Sequence, residues 1–551
     1  MAQEKSWLKD PGLWVIFLLY LGVAALTFNR GLFLSDEGYQ LYYSWLITKG
    51  QRIYKDFFLT VAPFNYMLQA LLLKIFGVKL IVSRIYAALV SLAGFFSIAY
   101  ISRKTVPGRY WLLGAGLCII FSNNLFNFAQ HAVMSKYYMV FSLALALVWF
   151  ESGSLPAFFA SGLCAGMASF SYQSLAAVAA AELVLGLWLK DRNKIRGWLV
   201  PGLIFCAGFA VIALAVFIYL ARERLLQESF SLLVLGNRKK HVFDVSFRYL
   251  LPAIIIICFL NIAPAKIPFQ KPRNKLILAG ISQGLFILFL VFALVRAGSH
   301  FFIVSNMLSW IVPAALFALA FAFLSQGQKT RRQLLIFGVG AFLLLVGLLG
   351  GYDIGHNLSS CLLLIPWFGF LSERLVRSGR RKILQESASL PFLLLILLAG
   401  LATMLVWRWE LWGQVEPLHR CTARLSLNSA RGIYTSPRQK RELEAVVSFI
   451  QNNSRVQDPI LVYPNQLLIY FLAERVSLSR APFFFYETTN LGELAKAAEL
   501  ARQNKGLVIF QLKDGKLFQP LQSPQADSII RNLSQACVRE IELEGYKLCA
   551  L

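Results

Sequence analysis

Residues 32–58 read LFLSDEGYQLYYSWLITKGQRIYKDFF, and the kind of protein turns on this stretch. It follows an apolar run over 12–28, which is long enough to cross a bilayer, and carries two adjacent carboxylates, Asp36 and Glu37. Lys5 and Lys9 precede the run. The acidic pair therefore falls where the chain leaves the membrane, opposite the Lys-bearing N-terminus. That position suits a catalytic base, Asp36, acting on a substrate held in lipid, with Glu37 assisting or binding an acceptor or metal. The residues equally describe a helix start, because Ser35 with acid in the first turn is a capping pattern that the helix dipole favours. The two roles are compatible.

Outward from there, composition sets the class. Of 551 residues, 57% are hydrophobic, and the formal net charge is +26; mean hydropathy is +0.60. Soluble domains are less apolar, so a polytopic membrane protein is expected. The positive charge lies in short loops between apolar runs, which argues for helix orientation and contact with anionic lipid rather than for nucleic acid. No cleavage site follows the first apolar run, which reads as a retained helix.

About thirteen stretches are apolar enough to span: 12–28, 81–101, 110–124, 137–151, 155–171, 174–190, 198–220, 248–264, 276–296, 303–324, 333–350, 357–372 and 389–407. With the N-terminus inside, alternation puts the clusters at 103–109, 190–196, 266–275, 329–332 and 374–382 in the cytoplasm, as the positive-inside rule asks. The basic segment 221–247 falls outside, where Arg238, Lys239 and Lys240 can hold phosphate. Residues 29–80 form a large outer loop with two semi-apolar stretches, 36–48 and 62–77, that lie in the interface. The outer ends of other helices contribute 123–136, where the second outer loop falls. The expected architecture is a transmembrane domain over 1–408 and an extracytoplasmic soluble α/β domain over 409–551. In the latter, 438–453, 490–504 and 526–536 read as helices, and DPILVYP and GLVIFQLKDG as strands. Cys537 and Cys549 in this tail can pair if it is extracytoplasmic.

Several ionisable groups sit at the expected outer face. Arg52, Tyr54 and Lys55 lie in GQRIYKDFF, where the cations can clamp a phosphate or simply snorkel. His131 and Lys136 lie at a membrane boundary and serve either a site or a helix end. Asp353 and His356, three apart, can orient a hydroxyl or satisfy each other across a turn. Gln173, at a helix start, suits a substrate contact or helix packing. P-loop, H-E-x-x-H, G-x-S-x-G and post-strand G-x-G-x-x-G motifs are absent from the sequence, so ATP-driven transport, zinc proteolysis and nicotinamide chemistry lose their usual anchors.

The order of these features resembles a known group. D-E-G-x-x-x-Y in the first outer loop is followed by G-x-x-x-Y-K-D-F, a Pro, a semi-apolar stretch ending at Phe76-Gly77, a helix bearing Arg84, a late D-x-x-H turn and a C-terminal outer domain. This resembles the GT-C superfamily of polyprenyl-phosphate-sugar-dependent glycosyltransferases, in particular the protein O-mannosyltransferase-like, aminoarabinose-transferase-like and bacterial galacturonosyl-transferase-like branches. The resemblance implies a multi-pass protein of the inner (plasma) membrane whose C-terminal domain is periplasmic. It implies inverting transfer of a sugar from a polyprenyl-phosphate donor to a hydroxyl of a lipid, polysaccharide or protein acceptor, with Asp36 as base. Arg52, Lys55, Lys136 and the 238–240 cluster are then candidate partners of the leaving phosphate. Many members of the group carry a second carboxylate in the second outer loop. Here that stretch reads HAVMSKYY, with Ser135 and Lys136 instead, which argues against a divalent metal held between two loops and makes Lys136 its substitute.

The rival reading is a transporter or flippase of lipid-linked saccharides. Charged residues deep in the middle helices and paired broken helices are its usual marks, and neither is evident in the sequence.

Overall fold

The computed structural model describes residues 7–106, 108–121, 127–190, 196–230, 330–350, 418–484, 491–513, 515–518 and 523–551, with isolated positions 233, 362, 363 and 366. The runs expected at 248–264, 276–296, 303–324 and 389–407, and all of 357–372 but positions 362, 363 and 366, lie outside these residues, as do Arg238, Lys239, Lys240, Asp353 and His356.

The described membrane part is helical: α1 Pro11–Thr27, α2 Asp36–Thr48, α3 Phe64–Phe76, α4 Leu80–Thr105, α5 Trp111–Phe121, α6 His131–Ser152, α7 Leu155–Ser171, α8 Leu175–Lys190, α9 Arg196–Arg222, α10 Leu226–Phe230 and α11 Arg331–Gly350. Three of these segments, Leu80–Thr105, His131–Ser152 and Gly197–Arg222, are long and apolar enough to cross a membrane. Helix α1 begins where Pro11 fixes the first turn and Asp10 accepts a bond from the Gly12 amide (2.9 Å). Small residues set the bundle packing. Gly162 and Gly166 face α9 one turn apart, and a Cβ on Gly162 would overlap the Phe205 carbonyl. Only glycine lets the two backbones approach so closely.

Two expectations need correction here. The span expected to begin at 137 starts earlier, at His131, after Gln130 at its N-cap, so His131 and Lys136 are both helical. Nothing in HAVMSKYY breaks a helix, and Lys136 is buried. The middle helices also do contain a deep ionisable group. Glu182 of α8 is buried and accepts bonds from Ser142 of α6 (2.9 Å to each oxygen) and Ser161 of α7 (3.1 Å). Satisfied in this way, it ties three helices together.

The strands of the described residues all lie near the C-terminus. A short ladder pairs β1 Ala423–Arg424 with β2 Tyr434–Thr435. The main sheet has the order β3-β4-β7-β6, with β3 Leu461–Tyr463 parallel to β4 Leu507–Lys513, and β7 Tyr546–Ala550 antiparallel to both β4 and β6 Arg539–Glu542; β5 Lys516–Leu517 hangs off β4. Helices α12 Pro437–Asn453, α13 Leu468–Ala473, α14 Leu491–Gln503 and α15 Pro524–Gln535 pack around it. Side chains alternate along β4. Val508 and Phe510 join a core with α14 and α15, while Leu507 and Ile509 face the other way. Cys537 and Cys549 are disulfide-bonded, tying the approach to β6 onto β7.

The second face of the sheet does not end at its own helices. Its core runs through α12 and α13 into α2 and α3, taking in Leu41, Tyr42, Trp45 and Tyr66. The first outer loop and the C-terminal α/β part therefore fold as one packed unit, which fixes the position of the acidic pair.

Candidate active site

The residues before α2 are held from three sides. The Gly31 amide donates to Tyr434 O, and the Tyr434 amide to Asn29 O, each at 2.8 Å. Asn127, just ahead of α6, donates through Nδ2 to Thr27 O, Phe28 O and Arg30 O. Leu468 N donates to Leu34 O at 3.0 Å, and Gly38 lies so close to Leu468 that a Cβ there would overlap its backbone nitrogen. The start of α2 is thus fixed by backbone bonds to two distant parts of the chain.

The two adjacent acids then separate in role. Glu37 is fully buried and paired with Arg84 of α4, whose Nε and Nη2 donate to its two oxygens at 2.7 and 2.8 Å. Arg84 also donates to Gly31 O (2.6 Å) and Phe28 O (3.2 Å), and Glu37 accepts the Phe33 amide. Such a charge-assisted, two-pronged pair is strong and rigid. Asp36 is only partly buried. Its Oδ2 lies 3.5 Å from Gln130 Nε2. Of the pair, Asp36 is the accessible carboxylate.

One turn along α2 from Asp36, Gln40 Nε2 meets His131 Nδ1 (2.6 Å) and Tyr66 Oη (3.0 Å), and Tyr66 Oη lies 3.1 Å from the same His131 nitrogen. The rings of Tyr39, Tyr66 and Tyr172 surround His131 at 5.8–6.4 Å between centroids. The Gln40 carbonyl oxygen is buried without a hydrogen-bond partner among the described residues. Burial first of all, and the Asp36 charge in lesser part, push the Tyr39 hydroxyl up to about 12 against hydrogen bonds with Thr60 and Tyr66 that lower it, so it stays neutral. Asn65 of α3 donates to Ala129 O and accepts from Tyr86, which in turn bonds Tyr138. These bonds lock the base of α6 against α3.

The other candidate residues fall around this centre. Gln173 accepts the Ala62 amide (3.2 Å) and donates to Thr60 O (3.4 Å), so it clamps the outer loop onto the α7–α8 junction. Lys136 is buried more than a turn along α6 from His131. Arg52 is engaged by Asp56, at 3.1 Å from both Nε and Nη2. That bond holds the Asp56 carboxyl below its ordinary range and raises the guanidinium. Lys55 is exposed. Tyr54 is buried, adopts a left-handed backbone (φ +69°) and donates to Val61 O. Among the described residues, no three His, Cys, Asp or Glu side chains converge as a metal site. Gln40, Asn65, Asn127 and Gln130 were not expected. The only sequence signal was Gln40 lying four residues after Asp36, on the same helix face.

No family model matches this sequence, and no curated protein matches it. Solved structures do. The archaeal oligosaccharyltransferase AglB from Archaeoglobus fulgidus, in complex with an inhibitory peptide and a dolichol-phosphate, aligns over 92% of this chain and 70% of its own at 13% identity, with a TM-score of 0.52. The apo form of the Archaeoglobus fulgidus oligosaccharyltransferase aligns over the same shares at 12% identity, with a TM-score of 0.53. ArnT from Cupriavidus metallidurans bound to undecaprenyl phosphate aligns over 98% of both chains at 13% identity, with a TM-score of 0.46. The chain shares its overall fold with the Archaeoglobus fulgidus oligosaccharyltransferase, and its described residues are mostly helical with a sheet toward the C-terminus. It is similar to the archaeal oligosaccharyltransferase in architecture, at an identity that speaks for the fold alone.

Proposed function

We propose that this chain is an integral membrane glycosyltransferase. It moves a sugar from a polyprenyl-phosphate donor to a hydroxyl of a lipid, polysaccharide or protein acceptor at the outer face of the membrane. The observation that carries the reading is the division of labour in the acidic pair: Glu37 is consumed by Arg84, while Asp36 stays accessible beside the Gln40–Tyr66–His131 cluster. In the proposed step Asp36 takes the acceptor proton as that oxygen bonds to the anomeric carbon. The carbon–oxygen bond to phosphate breaks on the opposite side, polyprenyl phosphate leaves with its electron pair, and configuration inverts.

Leaving phosphate needs positive charge or donors nearby. Lys136, Lys55 and the 238–240 cluster are the proposed partners, while Asp353 and His356 are proposed to orient a substrate hydroxyl. Arg52 is less suited, because Asp56 already holds its guanidinium. His131, Tyr39 and Tyr172, each partly exposed, are proposed to offer ring surface against which a sugar packs, and Gln173 holds the 60–62 segment in place. Glu37 with Arg84 positions Asp36.

The proposed topology has about thirteen spans, transmembrane domain 1–408, a cytoplasmic N-terminus and an extracytoplasmic 409–551. The Cys537–Cys549 disulfide favours an oxidising compartment for that tail. Transport of lipid-linked saccharides is the competing reading. Glu182 lends it little, because its oxygens are already satisfied by Ser142 and Ser161.

The test is transfer from a mixed pool of polyprenyl-phosphate sugars by the purified protein in nanodiscs, wild type against Asp36→Asn. Product or donor hydrolysis in the wild type alone supports the reading. Donor binding by both proteins without turnover by either would overturn it in favour of transport.

A further inference from the structure

The bonds around His131 locate a proton. Its Nδ1 lies 2.6 Å from Gln40 Nε2 and 3.1 Å from Tyr66 Oη, and Gln40 Nε2 also reaches Tyr66 Oη at 3.0 Å. A neutral imidazole has one N–H and one lone pair, and its neighbours set which nitrogen carries which. The NH2 of an amide only donates. Facing Gln40 Nε2, the His131 Nδ1 therefore supplies the lone pair, and the ring proton resides on Nε2.

The sense of the amide sets this outcome. With Nε2 toward His131, the atom left over is Gln40 Oε1, which is buried with no hydrogen-bond partner among the described residues. Turned round, Oε1 would accept from an Nδ1–H, and the NH2 would take the same buried place with its donors stranded. A stranded N–H is the rarer and costlier defect, because a carbonyl tolerates being under-used better than a donor does. Bulk water does not compete for these bonds, since Gln40 is 1% exposed and Tyr66 fully buried. The seat is also firm. Asn65, next to Tyr66 on α3, donates to Ala129 O at 3.0 Å, two residues before His131, and the Tyr66 ring stacks on the imidazole at 5.8 Å between centroids.

We infer that Gln40 is a positioning residue that fixes His131 in the Nε2–H tautomer, so that His131 serves as a hydrogen-bond donor and not as a base. A base must turn a lone pair to the proton it takes, and the lone pair of His131 is spent on Gln40. Under the transfer reading, on which this role rests, proton removal falls to Asp36, one turn back along α2, rather than to His131. The Nε2–H then suits an acceptor oxygen of the substrate. The tautomer itself does not depend on that reading.

Nitrogen NMR of the full chain in nanodiscs, labelled at its histidine nitrogens, reads the tautomer directly, with His131 assigned by the signals lost in His131→Leu. At neutral pH the wild type should show an unprotonated Nδ1 and a protonated Nε2; the reverse tautomer or an imidazolium would overturn the inference. In Gln40→Glu the carboxylate only accepts, so Nδ1 should gain a proton; a folded variant with the wild-type pattern would overturn it. If that variant does not fold, Gln40→Met should let both tautomers appear, and a single wild-type tautomer there would remove Gln40 from the role. Donor and base separate in turnover. His131→Gln keeps an N–H donor and cannot act as a base, so it should turn over at least about tenfold faster than His131→Leu. Equal loss in the two would overturn the donor role while the transfer reading stands. If the wild type transfers nothing from any polyprenyl-phosphate sugar, the transfer reading fails, and the spectrum still shows whether Gln40 sets the tautomer.

Discussion

Arg84 and Glu37 lie 47 residues apart in sequence and meet through two bonds of 2.7 and 2.8 Å, with neither side chain reaching solvent. A buried pair of this kind contributes geometry more than net stability, but breaking it strands a charge and costs about 3–5 kcal/mol. Glu37→Gln or Arg84→Met alone should therefore lower the thermal midpoint sharply, and the double variant Glu37→Gln/Arg84→Met should recover much of it. Midpoints in detergent check this. A double variant no better than the worse single one would show that the pair is not an isolated unit.

Asp36, the next residue along, should behave in the opposite way. Its carboxylate is half-open, and Gln130 Nε2 lies 3.5 Å from it. Asp36→Asn keeps shape and hydrogen bonding, so the midpoint should move by less than about 1 kcal/mol equivalent. Turnover should fall by about 10²–10⁴-fold, the usual worth of a general base. Retained turnover would remove Asp36 from the chemistry.

Gly38 controls how the C-terminal part seats on the outer loop. A methyl group there would enter the Leu468 backbone nitrogen, which itself donates to Leu34 O. Backbone cannot step aside as a side chain tip can, so Gly38→Ala should cost about 1–3 kcal/mol. The damage should be local, and limited proteolysis should cut the 418–484 region first. An unchanged digestion pattern would mean that the seam tolerates a shift.

The limits of α2 and α3 were legible because local patterning sets them: SDEG opens one helix, and the semi-apolar stretch before Phe76-Gly77 closes the other. The helical runs at 12–28, 81–101 and 155–171 were legible for the same reason. The Gln40–Tyr66–His131 cluster was not, since its members come from three helices and meet only through tertiary packing. Glu182 escaped notice for a related reason. AAVAAAELVLGLWLK reads as a lipid-facing helix, and the two serines that satisfy its one acid sit on neighbouring helices. The separation of Asp36 from Glu37 was equally hidden, because adjacent residues on a helix point about 100° apart and only the position of Arg84 says which one is buried.

The Arg52–Asp56 pair links this loop to pH. The Asp56 carboxyl is held below its ordinary range chiefly by the Arg52 side-chain bond. A folded-state value below the unfolded one means that the pair stabilises fully above the ordinary carboxylate range and is lost as pH falls through the depressed value. Acidification from neutral should leave the 52–56 turn intact until pH drops below that range, and then loosen it. Amide exchange of the Asp56 N–H, which bonds Arg52 O at 2.9 Å, should accelerate there. In Asp56→Asn the acid-dependent step should vanish. Both side chains are substantially exposed, so the gain is small and salt should shrink it further.

The Cys537–Cys549 bond offers a check on the sidedness of the tail that is independent of catalysis. It closes a separation of 12 residues between the approach to β6 and strand β7, which is the sheet's link to both β4 and β6. Closing a loop of that size restricts the unfolded chain by about 3 kcal/mol. Cys537→Ser/Cys549→Ser should therefore lower the stability of the C-terminal part by about that amount, while leaving the helices of the bundle in place. If the tail is extracytoplasmic, the native protein taken from cells under alkylating conditions should carry both sulfurs blocked to label. Rapid modification of both thiols before any reductant is added would put the tail in a reducing compartment and reverse the proposed orientation of the chain.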